Sequence, residues 1–171
     1  MRGGGKSPPR VGIREMVWSW MGSFLGIGMT ALLNARFVEP GDLTLLIGSF
    51  GASAVLVYSA IKSPLAQPRN LIGGHLLSAI VGVTAYKVAG GNWLASGCAV
   101  SFAIVAMLAT GTLHPPGGAT ALIAVIGSEK IHHLGYLYVF VPTLAGALIL
   151  LVTALVVNNL SEDRRYPEYW Y

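Results

Sequence analysis

Apolar residues in this chain fall in long unbroken runs, not in the alternation of strands or the narrow stripe of a surface helix. Runs over residues 16 to about 35, 71 to about 89, 93 to about 109 and 136 to about 157 approach or exceed the roughly 17 residues a membrane-crossing helix requires. Two further runs are apolar but interrupted. Residues 43–61 are broken by Gly48-Ser49-Phe50-Gly51, and residues 110–127 by His114-Pro115-Pro116-Gly117-Gly118. Proline is at home in the first turn of a helix, where its missing N–H costs nothing, so Pro115-Pro116 predicts a short helix from about Gly117 to Ile126. Polar punctuation separates the runs: Pro40-Gly41, the irregular stretch 63–70 with its two prolines, Gly90-Gly91-Asn92, and the turn 128–133.

The pattern predicts an all-α, polytopic transmembrane helical bundle, and composition agrees. Of 171 residues 54% are hydrophobic and 11% charged, whereas a soluble domain carries about a quarter charged residues. A soluble reading would leave several helices apolar all round. Three regions follow: a basic, Gly/Pro-rich tail over 1–14 expected to be mobile, a transmembrane domain over 15–160, and a charged aromatic tail over 161–171 fit to lie on the membrane interface. The first residues lack the apolar core of a signal peptide. Cys98 has no second cysteine to pair with and says nothing about compartment.

An internal likeness reorganises the list of runs. Gly51-Ala-Ser-Ala-Val-Leu-Val57 matches Gly118-Ala-Thr-Ala-Leu-Ile-Ala124, and the same offset lays 71–89 over 138–156. The chain then reads as two repeats, 16–89 and 93–157, each a span, a broken segment and a span. Repeats with interrupted helices at matching positions are common in transporters and point to the substrate site. The plainer alternative is that Gly-Ala-Ser/Thr-Ala is small-residue packing between membrane helices. If the broken segments cross, there are six crossings and the halves are inverted; if they re-enter, four spans and two half-helices remain. Six crossings put Arg2, Lys6, Arg10, Arg14, Lys62, Arg69, Arg164 and Arg165 on one side and Arg36, Lys87 and Lys130 on the other. The positive-inside rule favours that arrangement, with both termini cytoplasmic.

The chemistry follows from the breaks. A helix start carries about half a positive charge and free N–H groups, a ready site for an anion. The starts near Phe50-Gly51 and Gly117-Gly118 are expected to face each other at mid-membrane, with hydroxyls from Ser49, Ser53, Thr112 and Thr120 as further donors. His114 is a candidate to donate to the anion or, protonated, to couple its passage to protons; the alternative is that it caps the preceding span. His75 either faces the same cavity or packs a helix, and Arg69 either draws anions to the inner mouth or marks topology. Lys87 and Lys130 read as interfacial snorkellers.

The segments GSFGASAVLVY, SPLAQPRNLIGGHL and HPPGGATAL, with the closing RRYPEYWY, resemble the HPP family of integral membrane proteins over nearly the whole chain. The family's His-Pro-Pro falls on His114, Pro115 and Pro116. The resemblance implies a membrane transport protein with nitrite or a similar small anion as substrate, as plastid and cyanobacterial members are associated with nitrite. Members are described with four transmembrane helices, which conflicts with six unless the broken segments went uncounted. Some bacterial members carry C-terminal CBS domains, for which 171 residues leave no room.

Other functions find little footing. His132-His133 with Glu129 are poorly disposed to share one metal ion. The sequence has no Walker loop, nucleophile elbow, HExxH or CxxC, so enzymatic chemistry, ATP-driven transport and bound cofactors have no support, and the modest charge gives no nucleic-acid surface. A pore for a neutral solute and a non-transporting scaffold or sensor subunit remain as alternatives. The expected partners are the small anion and the lipid bilayer, with a homo-oligomer open but unargued. The plainest location is a bacterial inner membrane, an organelle membrane being the other option.

Overall fold

A computed structural model describes residues 9–41 and 43–171. It is helical, with no strand among the described residues. The helices are α1 (Ile13–Leu33), α2 (Ser49–Ser59), α3 (Pro68–Ala89), α4 (Trp93–Thr110), α5 (Pro115–Ile126), α6 (Glu129–Leu134) and α7 (Ala145–Val157). A π-helical turn, Val139–Leu144, leads into α7, and a second, Asn34–Val38, followed by a 3-10 turn, Glu39–Gly41, prolongs α1. Four segments are long and apolar enough to cross a membrane: Ile13–Gly41, Pro68–Ala89, Trp93–Thr110 and Val139–Val157. Their outward faces carry Phe24, Leu32, Ile80, Phe102, Val105 and Val152, all exposed, as lipid contact requires. This is a membrane protein. The short apolar helices α2 and α5 hold 11 and 12 residues. At about 1.5 Å per residue each spans roughly half the hydrocarbon.

Local signals account for most boundaries. Asn92 caps α4, its side chain accepting the Ala95 N–H at 2.9 Å, and Gly111 ends that helix with φ +65°, a conformation glycine adopts without strain. Pro68 and Pro115-Pro116 occupy the first turns of α3 and α5. The short helix expected from Gly117 therefore begins two residues earlier. The last run is not one straight span: Val141 leaves helical geometry (φ −131°, ψ 116°) ahead of Pro142, because a proline there supplies no N–H to the helical ladder.

The helices sort into two groups, α1 with α2 and α7, and α3 with α4 and α5, which meet where α2 packs on α5 and α3 on α7. Close approach depends on small residues. A Cβ on Gly82 would stand 2.5 Å from the Ala121 carbonyl oxygen, which is how near α3 and α5 come. Phe50 presses on Gly146, and Tyr58 on Gly22 and Gly26.

The first turn of α1 and the C-terminal tail meet at one end of the bundle, where Arg14 pairs with Asp163 and Arg164 with Glu15. The expectation of a mobile tail over 1–14 falls mainly on residues outside the described range, and Ile13 and Arg14 already belong to α1. The C-terminal tail is docked on protein. Arg164 donates to the Tyr58 carbonyl, the Tyr166 hydroxyl donates to the Ala66 carbonyl at 2.7 Å, and Glu168 N–H donates to Gln67 Oε1 at 2.9 Å. The tail straps the loop between α2 and α3.

Candidate functional site

In a chain so poor in polar side chains, those buried together stand out. Ser49 and Ser53 lie one turn apart on the inner face of α2, His75 lies on α3, and His114 and Thr120 lie at the start of α5; all five have no exposed surface. Buried polar groups must find partners, and these find one another. Ser53 Oγ sits 2.7 Å from His75 Nε2 and 2.9 Å from His114 Nε2. His75 Nδ1 is 2.7 Å from Thr120 Oγ1, which is 2.9 Å from Ser49 Oγ and 3.3 Å from the Pro116 carbonyl. His114 Nδ1 is 2.8 Å from the Leu65 carbonyl in the loop before α3. The two imidazoles stand 5.0 Å apart, and Phe50 meets His75 edge-on at 5.5 Å.

Proton positions follow from what each partner can do. The Leu65 carbonyl only accepts, so His114 carries its proton on Nδ1, and its Nε2 accepts from Ser53. Ser53 has spent its one proton, so His75 donates to it from Nε2, leaving Nδ1 to accept from Thr120. The Thr120 hydroxyl is also placed to donate to two further acceptors, Ser49 Oγ and the Pro116 carbonyl. With both rings neutral, the donors run from Thr120 to His75 to Ser53 to His114 to the Leu65 carbonyl, each proton used once. The carbonyl fixes the direction of the chain.

The structure brings together five of the residues singled out in the sequence and leaves others apart. Pro115 and Pro116 open α5, and Pro116 contributes its carbonyl to the network's edge. Gly117 is buried against α3, where a Cβ would meet Ser78 Oγ at 2.6 Å. Its N–H is not free as expected: it donates to the His114 carbonyl at 2.8 Å, and the N–H groups of Phe50 and Gly51 donate to Ile47 and Gly48 carbonyls. The helices begin in tight turns that use up these donors. Gly118 and Gly51 do not face the network. Gly118 borders an outer groove of about 530 Å³ between α4 and α5, and Gly51 is exposed with open space before it. Thr112 is buried but pairs with Thr110 at 2.8 Å. Arg69 is exposed and donates to the Thr110 carbonyl, closing the end of α4. Lys87 lies over the Tyr136 ring at 5.6 Å, and the His132 ring stacks on Tyr86 with Nε2 donating to the Val125 carbonyl. Among the described residues no three His, Cys, Asp or Glu are grouped to hold a metal. Sequence reasoning missed the Leu65 carbonyl and Tyr138, whose hydroxyl donates to the Thr120 carbonyl at 3.0 Å. No residue type signals a backbone acceptor 49 positions away.

The chain as a whole is similar to known proteins. The family model for the HPP transmembrane region matches residues 8–167. The chain belongs to the HPP family. Two curated relatives, both named transmembrane proteins of Dictyostelium discoideum, resemble it over its whole length. One is 48% identical over 174 residues, covering 99% of this chain and 56% of the relative. The other is 50% identical over 170 residues, covering 97% and 59%. This HPP chain thus spans somewhat more than half the length of those relatives. No solved structure matches it.

Proposed function

We propose that this HPP-family protein is a transporter or channel for a small monovalent anion, nitrite foremost, that passes between the starts of α2 and α5. The observation that carries the reading is the overlap of two short, oppositely directed helices at the buried polar network: Ser49 with Thr120, and Ser53 with His114. Two helix starts together place about one positive charge there without a lysine or arginine buried in lipid.

Six crossings and an inverted repeat fit this reading. Residues 110–126 lie along the whole of α3: Arg69 and Asn70 meet Thr110 and Leu113 at one end, Gly82 meets Ala121 midway, and Gly91 meets Val125 at the other. A short extended lead and a half-helix thereby match the length of a full span. Residues 43–59 do the same in the opposite sense. They run from Leu45, whose N–H donates to Asn34 at 2.6 Å, to Tyr58, whose carbonyl meets Arg164. Clefts flank the path. One of about 430 Å³, lined by Ile47, Gly48, Ile123 and Lys130, opens beside Ser49. One of about 320 Å³, lined by Ser63, Lys62, Glu15 and Arg164, opens at the other end, nearer Leu65. There the buried Arg164 keeps Nε and Nη1 without a hydrogen-bond partner among the described residues, a donor pair suited to an anion. With Arg14, Lys62, Arg69 and Arg164 at that end, we assign it to the cytoplasm, in a bacterial inner membrane.

A neutral-solute pore is the second reading, favoured by the lack of any charged side chain in the network. Purified protein in liposomes separates the two. Saturable nitrite entry, measured chemically in the lumen and absent from empty liposomes, is the expected result. Swelling with urea or glycerol and no nitrite entry would turn the assignment to the neutral pore. Neither flux would leave a scaffold.

A further inference from the structure

The five-member network has a property beyond binding: it can hold one more proton without losing a contact. Suppose His75 gains a proton on Nδ1. That N–H then donates to Thr120 Oγ1, and the Thr120 hydroxyl turns its own proton to Ser49 Oγ at 2.9 Å, with the Pro116 carbonyl at 3.3 Å as a second acceptor. His75 still donates from Nε2 to Ser53, Ser53 to His114, and His114 to Leu65. No heavy atom moves.

The extra charge is also mobile. His75 Nε2–H breaks as its proton passes to Ser53 Oγ, and the proton Ser53 held passes to His114 Nε2. His114 is now the imidazolium, donating from Nδ1 to Leu65 and from Nε2 to Ser53. Ser53 donates to His75 Nε2, and His75 donates from Nδ1 to Thr120. Two N/O–H bonds form, two break, and one positive charge has crossed from α3 to the start of α5. Both end states are fully hydrogen-bonded, so neither is disfavoured by an orphaned polar atom.

We propose that His75, Ser53 and His114 form a proton relay that takes up a single proton and hands it between the two halves of the bundle, and that this proton travels with the cargo anion. The relay stands on the hydrogen-bond arithmetic; its coupling to an anion rests on the function proposed above. Coupling follows from the surroundings. The ionisable groups on the packed elements are committed elsewhere or lie at the ends. Tyr138 donates to the Thr120 carbonyl, Tyr58 on α2 to the Leu150 carbonyl, and Arg69 on α3 to the Thr110 carbonyl. On α3 Tyr86 stacks on His132 and Lys87 reaches Tyr136, Lys62 follows α2 into the end cleft, and α4 offers Cys98 alone. No carboxylate among the described residues contacts either ring to balance an imidazolium, and two helix starts oppose a lone cation there. An anion entering with the proton cancels the charge. The substrate class is therefore an anion carried together with one proton, without net charge movement.

Two measurements test this. The first is ¹⁵N-histidine NMR of the lipid-reconstituted protein, with His132→Gln and His133→Gln removing the two other imidazoles. Near neutral pH His114 is expected as the Nδ1–H tautomer and His75 as Nε2–H. On acidification both rings should shift together as one proton is taken up between them, whereas in Ser53→Ala they should shift separately. His114 found as the Nε2–H tautomer, or both rings each taking a full proton at one midpoint, overturns the relay. Ser53→Cys, closer in size, repeats the comparison if Ser53→Ala fails to fold. The second measurement is nitrite entry into liposomes holding a pH dye, corrected for the leak through empty ones. Lumen acidification by one proton per nitrite, lost with Ser53→Ala, supports coupling. Nitrite-driven current at constant lumen pH overturns coupling and leaves the anion reading standing. Absence of nitrite flux overturns the anion reading instead, and the NMR titration then decides the relay alone.

Discussion

Gly82→Ala and Gly118→Ala are the same chemical change on helices that touch, and the structure gives them opposite signs. A methyl on Gly82 would lie 2.5 Å from the Ala121 carbonyl oxygen, 2.8 Å from Ala121 Cα and 2.9 Å from Ala124 Cβ. Two of these atoms are backbone and cannot swing aside, so α5 must retreat by about 0.9 Å to restore ordinary contact near 3.4 Å. A retreat of that size along the same line stretches the 2.7 Å contact between His75 and Thr120 to about 3.6 Å, beyond hydrogen-bond range. Overpacking of this kind costs about 1–3 kcal/mol, and the better helix propensity of alanine returns at most about 1 kcal/mol. On Gly118 the methyl finds nothing nearer than Val100 Cγ1 at 3.9 Å, so only the propensity gain remains. The two variants should therefore differ by about 2 kcal/mol, or roughly 4–8 °C in a protein of this size. Thermal unfolding in one detergent, followed by tryptophan fluorescence, measures the difference. Gly82→Ala as stable as wild type, or Gly118→Ala falling alongside it, would refute the helix spacing on which the site rests.

Other outcomes follow from single contacts. Ser53→Ala leaves two ring nitrogens with no partner at the centre of the bundle and should cost about 2–4 kcal/mol in the same unfolding assay, where Ser59→Ala on the exposed face should cost little. Arg69→Gln removes the guanidinium from the Thr110 carbonyl. We expect about 1 kcal/mol of lost stability with the nitrite KM unchanged, since Arg69 does not reach the network. Burial, and then the neighbouring Tyr58, push the Tyr166 phenol above its ordinary range, so the folded tail resists its ionisation. The stability this contributes is intact below about pH 10, where the unfolded phenol ionises, and is lost as pH rises further. Ultraviolet titration should show one late-ionising tyrosine fewer in Tyr166→Phe, together with a smaller fall in stability at high pH.

The linear pattern carried the helices well and their faces poorly. Pro115-Pro116 and Asn92 mark helix starts because their constraints are local: a missing N–H, a side chain able to reach the backbone two or three residues on. The faces of α2 and α5 were not legible. A helix apolar on all sides has no polar stripe to give its phase, so Gly118 and Gly51, which match in sequence, looked as fit for the site as Ser53 and Thr120. The partners of His114 are likewise remote, Ser53 at 61 positions and the Leu65 carbonyl at 49. Only packing brings them in. Pro142 was visible in the sequence, yet a proline in an apolar run reads equally as a tolerated kink. The docking of the tail was not legible because aromatic and charged residues suit an interface and a docking strap alike.

That strap changes what the end of the chain can do. Tyr166, Glu168 and Tyr169 hold the carbonyl of Ala66, the side chain of Gln67 and the carbonyl of Pro64, on either side of Leu65. Leu65 is where His114 hangs its Nδ1 proton. A force or a partner that lifts the tail off this loop therefore lifts the anchor of the whole proton chain, from outside the membrane. The C-terminus is in effect a handle on the histidine at the centre.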